Sequence, residues 1–537
     1  MVYASGPLDG RAVLHPRERH MLNTIPRPRA KLHGLALLAP LARYLIVVAA
    51  TVGLLVTSAI PVRAAAQKHH HYKLIDLGTF GGPTSTVPGP DFGPEGSAKS
   101  VNNRGTVAGS ADTATPDPDG FFNEDFFVAH AFVWQNGVMT DLGALGASPD
   151  NNVSNTSWIS ESGLIAGFSE NGATDPLIPG FPEIRAVLWQ DGQLIDLGTL
   201  GGNESFANAV NNRGQVIGWA LNATPDPFGF GTQMRPFLWQ HGVMHDLGTL
   251  GTGSDADAIF INERGQVAGA SLIDSTPVPP VTGPCATGPP ASHPFLWDEG
   301  TMIDIGSLGG TCGFPNALNN RGQVVGDSYL AGNLAFHPFL WDHGVLTDLG
   351  TLGGNNGEAL WVNDAGEVIG QADLPGSVVH HGFLWRNGIM TDLGTLGPSP
   401  TTSFAEGINS KGQIVGRSRI GAITNPLQHA FLWEHGGPMI DLNMLIPANS
   451  PLLLVDATYI NERGEIAGHG LTTSGENHAF LLIPCGEGIE GCGDAAEGTV
   501  VASHAGETQK QLTPQEISRI RDLLMKRHRG FMPKTLP

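Results

Sequence analysis

A repeat with three anchors in fixed order limits what this chain can fold into. The anchors are Asp-Leu-Gly, Asn-x-x-Gly ahead of a β-branched run, and His-x-Phe-Leu-Trp. The first falls at Asp76, Asp141, Asp196, Asp246, Asp304, Asp348, Asp392 and Asp441. The second ends at Gly105, Gly163, Gly214, Gly265, Gly322, Gly366, Gly412 and Gly464. The third ends at Trp134, Trp189, Trp239, Trp297, Trp341, Trp385 and Trp433, with Leu482 in the eighth place. Spacings between successive Asp residues are 65, 55, 50, 58, 44, 44 and 49, so connections grow while the anchors persist. Such self-similarity sets the architecture before any single residue does.

Each unit reads as four short strands. In the cleanest one, Ala317 to Asn319 ends the first strand and Asn-Asn-Arg-Gly turns the chain. Gln323 to Asp327 is the second, His337 to Trp341 the third and Val345 to Leu349 the fourth. Asp342-His343-Gly344 joins the last two. Other units have Gln135-Asn136-Gly137, Gln190-Asp191-Gly192 or Arg386-Asn387-Gly388 there, and Asn-Gly or Asp-Gly supplies the positive φ of a tight hairpin. No stretch inside the repeats keeps a helical period, so the region is all-β.

Four strands in about 40 to 50 residues is the size of a propeller blade. The array opens with a lone fourth strand, Tyr72 to Gly78, and stops after a third strand, His478 to Ile483. Pairing them would close a ring and remove an exposed edge. The expected fold is therefore a β-propeller of eight four-stranded blades closed by the N-terminal strand, plus a short C-terminal helix. An open β-solenoid would explain the repeats but not this complementary fraying.

The rest of the chain falls into segments around that body at 67–484. Basic residues Arg27, Arg29, Lys31 and Arg43 precede the apolar run Tyr44 to Ile60, and Ala64-Ala65-Ala66 offers a cleavage site. Residues 1–66 thus read as a signal peptide, or as an N-terminal signal anchor, with Met21 as an alternative start. No membrane insertion is expected once the signal is cleaved, and the location is extracellular, with the periplasm as an alternative. Residues 485–511 read as a flexible Gly/Glu-rich segment. In 512–530, Thr513-Pro514-Gln515-Glu516 spells a capped helix start ahead of the stripe Ile517, Ile520, Leu523 and Leu524.

Formal charge is -21, and loss of residues 1–66, with eight basic and two acidic residues, takes it to -27. So acidic a body is unsuited to nucleic acid, whose phosphates need a basic footprint. The cysteines fit export. Proximity suggests Cys285 with Cys312, stapling the fourth unit to the loop that starts the fifth, and Cys485 with Cys492, though four cysteines allow three pairings.

The runs INNRGQVVG, HAFLW and DLGTLGG together resemble the HAF-family extracellular repeat of bacteria, as at His130-Ala131-Phe132, His429-Ala430-Phe431 and His478-Ala479-Phe480. The resemblance covers Tyr72 to Pro484 and implies an extracellular or surface location. It implies no activity and transfers no functional residue. Departures occur at Arg185 and Arg235, where the His is replaced, and at Leu482.

The recurring His residues occupy one strand position in different units, whereas a metal needs its ligands converging at about 2 Å. They read as structural, each hydrogen-bonding within its own unit, and the recurring Asp residues as turn or blade-locking acceptors. Function is expected where the units differ. Three consecutive second-to-third connections are related: Ala114 to Phe127, Ala173 to Phe181 and Ala223 to Gly231. They bring carboxylates Asp117, Asp119, Glu124, Asp125, Asp175 and Asp226 beside Phe121, Phe122, Phe126, Phe127, Phe181, Phe228 and Phe230. Aromatics offer a platform to a sugar ring or a partner protein, and carboxylates accept sugar hydroxyls. The alternative is that these residues only pack the loops shut.

Asp117-Pro118-Asp119-Gly120 resembles part of a calcium loop without its full spacing, so calcium is the sole cofactor to weigh; otherwise none is expected. Phosphate-binding, serine-hydrolase and zincin motifs are absent. The leading expectation is a non-enzymatic scaffold binding a glycan or surface protein. A polysaccharide-active enzyme and a purely structural matrix protein are the alternatives.

Overall fold

The computed structural model describes residues 71–89, 98–117, 126–176, 182–227, 231–274, 291–376, 379–398, 400–421, 427–486 and 492. The expected signal segment and C-terminal helix lie outside them, as does all of 485–511 except 485, 486 and 492. Eight antiparallel meanders fill the described chain. Unit five runs through Gly309–Leu318, Val324–Leu330, Phe336–Asp342 and Val345–Asp348, hydrogen-bonded in that order. Unit eight has only Leu453–Ile460, Ile466–Leu471 and Asn477–Pro484 from its own sequence. Its fourth strand is Tyr72–Asp76, antiparallel to Asn477–Pro484 in the register Tyr72↔Pro484 to Asp76↔Phe480.

Hairpin chemistry behaves as the sequence predicts. Asn136, Asp191, His343 and Asn387 have φ of 52°, 52°, 47° and 51°, each followed by a glycine with positive φ. The Phe of the third anchor is the hub of each unit: Phe132, Phe237, Phe295, Phe339, Phe383, Phe431 and Phe480 are fully buried, with Val187 in the remaining place. Each hub sits in a cluster that draws residues from a neighbouring unit, as Phe339 does with Ala268 and Leu296. The second strand needs a glycine beside it. A Cβ on Gly326 would lie 1.9 Å from the Phe314 carbonyl oxygen, because the first strand bulges there.

The recurring His and Asp are a clamp. His130, His293, His337, His381 and His429 donate from Nδ1 to Asp141, Asp304, Asp348, Asp392 and Asp441 at 2.6–2.9 Å. His478 does the same to Asp76 at 2.9 Å, so the pair that clamps unit eight joins the two ends of the repeat region. Each of these Asp side chains also accepts the N–H two residues on, as Asp348 does from Gly350 at 2.8 Å. Arg235 replaces the His in unit three and reaches Asp246 at 3.1 Å. Arg185, its counterpart in unit two, turns instead to Glu183 at 2.9 Å.

The Asn of the second anchor links neighbours. Asn319 accepts the N–H groups of Arg321 and Gln323 on Oδ1 and donates from Nδ2 to the Asn363 carbonyl of the next unit at 3.0 Å. Asn211, Asn262, Asn363 and Asn409 repeat that link to their successors, and Asn102 donates to Ser160. Asn461 donates to the Asn102 carbonyl at 2.9 Å, joining the last unit to the first.

Inner strands alternate from unit to unit. Two residues before the linking Asn stand Ser100, Trp158, Ala209, Phe260, Ala317, Trp361, Gly407 and Tyr459, small in odd units and aromatic in even ones. One residue after it stand Asn103, Glu161, Asn212, Glu263, Asn320, Asp364, Ser410 and Glu462, carboxylates in even units only. Those carboxylates accept the backbone N–H of the preceding odd unit, Asp364 from Asn320 at 2.9 Å. Even-unit aromatics meet although their units are far apart in sequence: Trp158 stacks on Trp361 at 6.2 Å and Tyr459 meets Trp361 edge-on at 5.7 Å. The first strands of units two, six and eight therefore converge.

Two cysteine expectations are refined. Cys485 and Cys492 form a disulfide. Cys312 is disulfide-bonded as well, while Cys285, its expected partner, lies outside the described residues. Cys312 is not in a loop, as expected, but within Gly309–Leu318 and 3% exposed, because the strand starts at the Gly309-Gly310 pair. A single parallel bridge, Ser292↔Cys312, joins units four and five into one eight-stranded sheet.

Candidate functional site

The three related connections leave their second strands at Pro116, Thr174 and Pro225 and return at Phe127, Pro182 and Thr232. Asp119, Phe121, Phe122, Glu124, Asp125, Phe181, Phe228 and Phe230 lie outside the described residues. The described stems show how the loops begin. The Asp117 N–H donates to the Phe126 carbonyl at 2.7 Å, and the Asp226 N–H to that of Gly231 at 3.0 Å. Asp175 Oδ1 accepts from Asn203 Nδ2 of the next unit at 2.9 Å. All three Asp residues are buried, so they shape the loop bases. Phe126, with φ of 64°, is 58% exposed, and Phe127 is half-buried at the strand start.

Beneath these stems the structure gathers acidic groups that the sequence did not single out. At the seam of units two and three, Asp175 and Glu183 lie close enough to Glu204 to act on its charge. Burial first, then those two carboxylates, push the Glu204 carboxyl up to about 7 against the opposing pull of Arg185. Glu204 Oε1 is buried and accepts no hydrogen bond. At the next seam, burial and Asp226 hold Asp255 above the usual carboxylate range, although it accepts the Met234 N–H at 2.7 Å.

Aromatic rings flank the seam of units two and three. Phe168 stacks on Phe206 at 5.1 Å, and Phe206 on Trp219 at 6.1 Å with planes 9° apart. Val128, Val153 and Ile184 complete that cluster across units one to three. The signal that could have found it was Arg185. A cation in place of the clamping His leaves Asp196 without a side-chain partner from that position and takes its charge to the acidic seam. Among the described residues, no group of three or more His, Cys, Asp or Glu is placed to hold a metal ion.

No protein-family model matches the chain, and no curated protein matches it in sequence. Solved structures similar to it include the β-propeller domain of the Trilobed protease from Pyrococcus furiosus. It is 9% identical with a TM-score of 0.37, over 71% of this chain and 100% of that one. Dipeptidyl peptidase 4 from Porphyromonas gingivalis is 9% identical with a TM-score of 0.41, over 71% and 59% of the two chains. A gluconolactonase from Xanthomonas campestris is 10% identical with a TM-score of 0.25, over 76% and 100%. Likenesses this distant lend nothing to the reading of site or activity.

Proposed function

We propose that the chain is an exported HAF-type repeat protein, an eight-bladed propeller closed by its N-terminal strand. It acts as a non-enzymatic scaffold that binds a glycan or a surface protein. The pairing of Tyr72–Asp76 with Asn477–Pro484 and the bond from Asn461 to Asn102 support the closed ring. Binding falls on the face that carries the second-to-third connections of units one to three. The observation that carries this reading is the gathering of Asp175, Glu183, Glu204 and Arg185 beside stacked aromatics, at the stem of the second of the three related connections. Varied loops on a rigid frame are where ligands are met.

One observation favours a second reading. A carboxyl raised to about 7 by burial beside further carboxylates is an arrangement that a polysaccharide-active enzyme can use. The test applies the exported chain to a polysaccharide panel, with and without calcium, while released sugars are assayed. Saturable binding without release, lost on replacing Phe121, Phe122, Phe228 and Phe230 with Ala, is the expected result. Sugar release selects the enzyme, and neither binding nor release leaves a structural matrix role.

A further inference from the structure

A second convergence of side chains lies away from the loops, at the axis, beside the short turns of the second anchor. Trp158, Trp361 and Tyr459 come from units two, six and eight, yet their rings touch there. None of the three is fully buried. Trp158 also borders the apolar clusters of units three to five, so it stands at the meeting point of the inner strands.

Polar groups frame these rings. Lys99 of unit one pairs with Glu161 and is held above its ordinary basicity: burial opposes the charge, but Tyr459, Glu161 and Glu263 favour it. The Tyr459 phenol is held up by burial first, and by Glu161, Glu462 and Asp364 against Lys99. Tyr459 thus feels the turns of units two, six and eight together. It keeps part of its surface accessible.

We infer that the centre of the short-turn face is a second binding site, which takes a non-anionic sugar residue of a glycan. The partly exposed surface of these rings packs against the C–H face of a sugar ring. Carboxylates, an ammonium and a phenol in one rim then accept and donate to its hydroxyls. Four carboxylates (Glu161, Glu263, Asp364, Glu462) against Lys99 repel a uronate or sulfated sugar. The alternation of small and aromatic residues leaves room for a sugar ring, since eight aromatics would fill the axis.

The test measures binding of the full exported chain to short glycans ending in a neutral, an amino or a uronic sugar, read by tryptophan emission and by calorimetry. Neutral and amino ends should bind and protect the emission from a soluble quencher, whereas uronic ends should not. Trp361→Ala should weaken binding about tenfold, the scale of one lost stacking contact, and Trp361→Phe should restore most of it. If Trp361→Ala does not fold, the milder pair Tyr459→Phe and Glu462→Gln carries the test, each lowering affinity with unchanged near-UV dichroism. His343→Asn, on an exposed rim turn, serves as the control without effect. Preference for uronic ends, an emission unmoved by every sugar, or binding abolished by the loop-face Phe substitutions alone would overturn this site. The last outcome would leave the loop-face reading standing.

Discussion

The rim and the axis of the repeat region obey different rules. At the rim one solution recurs: a buried Phe hub, a His or Arg reaching the Asp that ends the fourth strand, and an N–H two residues on, with unit two, where Val187 and Arg185 stand, the exception. At the axis no unit is complete, since its linking Asn, replaced in unit two by Ser160, bonds the next unit and its aromatic or carboxylate is matched to a neighbour of the other kind. Rim residues are therefore set by the strand pattern and recur, whereas axis residues are set by position around the array and alternate.

Equivalence at the rim is the sharpest claim to break. Phe339→Ala and Phe383→Ala should each cost about 3–5 kcal/mol, and by the same amount within error, because both hubs are fully buried in like surroundings. Denaturant titration checks this; a large gap between them would show that units are not interchangeable even at the rim.

Asn319→Ala should follow with about 2–3 kcal/mol. It removes a donor to the next unit and leaves the buried Gln323 N–H and the part-buried Arg321 N–H without that acceptor. Ser160→Ala in unit two should cost less, because Ser160 supplies no side-chain link to the next unit; the same titrations decide it.

His381→Ala should cost about 1 kcal/mol near neutral pH. Burial works against the Asp392 charge, but His381 and the Gly394 N–H outweigh it and hold the carboxyl below the usual range. A depressed folded-state value contributes stability above the unfolded value near 3.9 that fades as pH falls through the folded one. The gap between wild type and variant should be steady above about pH 5 and close toward pH 3. A gap that persists in acid would point to packing in place of the charge-assisted bond.

The smallest effect belongs to the acidic seam, and its sign is reversed. Glu204 is raised to about 7, so its ionisation destabilises the fold as pH climbs from the unfolded value near 4.3. Glu204→Gln should be neutral near pH 4 and stabilise by about 1 kcal/mol or less above pH 7, after allowance for solvent screening. Thermal melts across pH would show it; destabilisation at pH 8 would mean that Glu204 makes a favourable contact as an anion.

Rim and axis also differed in how much the sequence revealed. The strands, their order, the hairpin turns and the pairing of Tyr72–Asp76 with Asn477–Pro484 all follow from period, turn residues and anchors that recur. His337 was legible as structural, but not its acceptor, because Asp348 lies on another strand. Glu204 and Phe206 were not legible at all. Both sit in a first strand whose bulge and starting point vary between units, and their meaning comes from Asp175 and Phe168 across a seam. Cys312 was misplaced for the same reason: the Gly309-Gly310 pair looks like a turn and is a strand start.

Alternation also carries a rule of parity. A two-unit motif that runs around an array and meets itself, as Glu462 meets Asn103 and Asn103 meets Glu161, fits only an even number of units. Losing an odd unit would set carboxylate beside carboxylate and aromatic beside aromatic at the join, and losing an even one small residue beside small residue, whereas losing or gaining two would do neither. The heritable building block of this chain is then the pair, and natural length variants should come in steps of two.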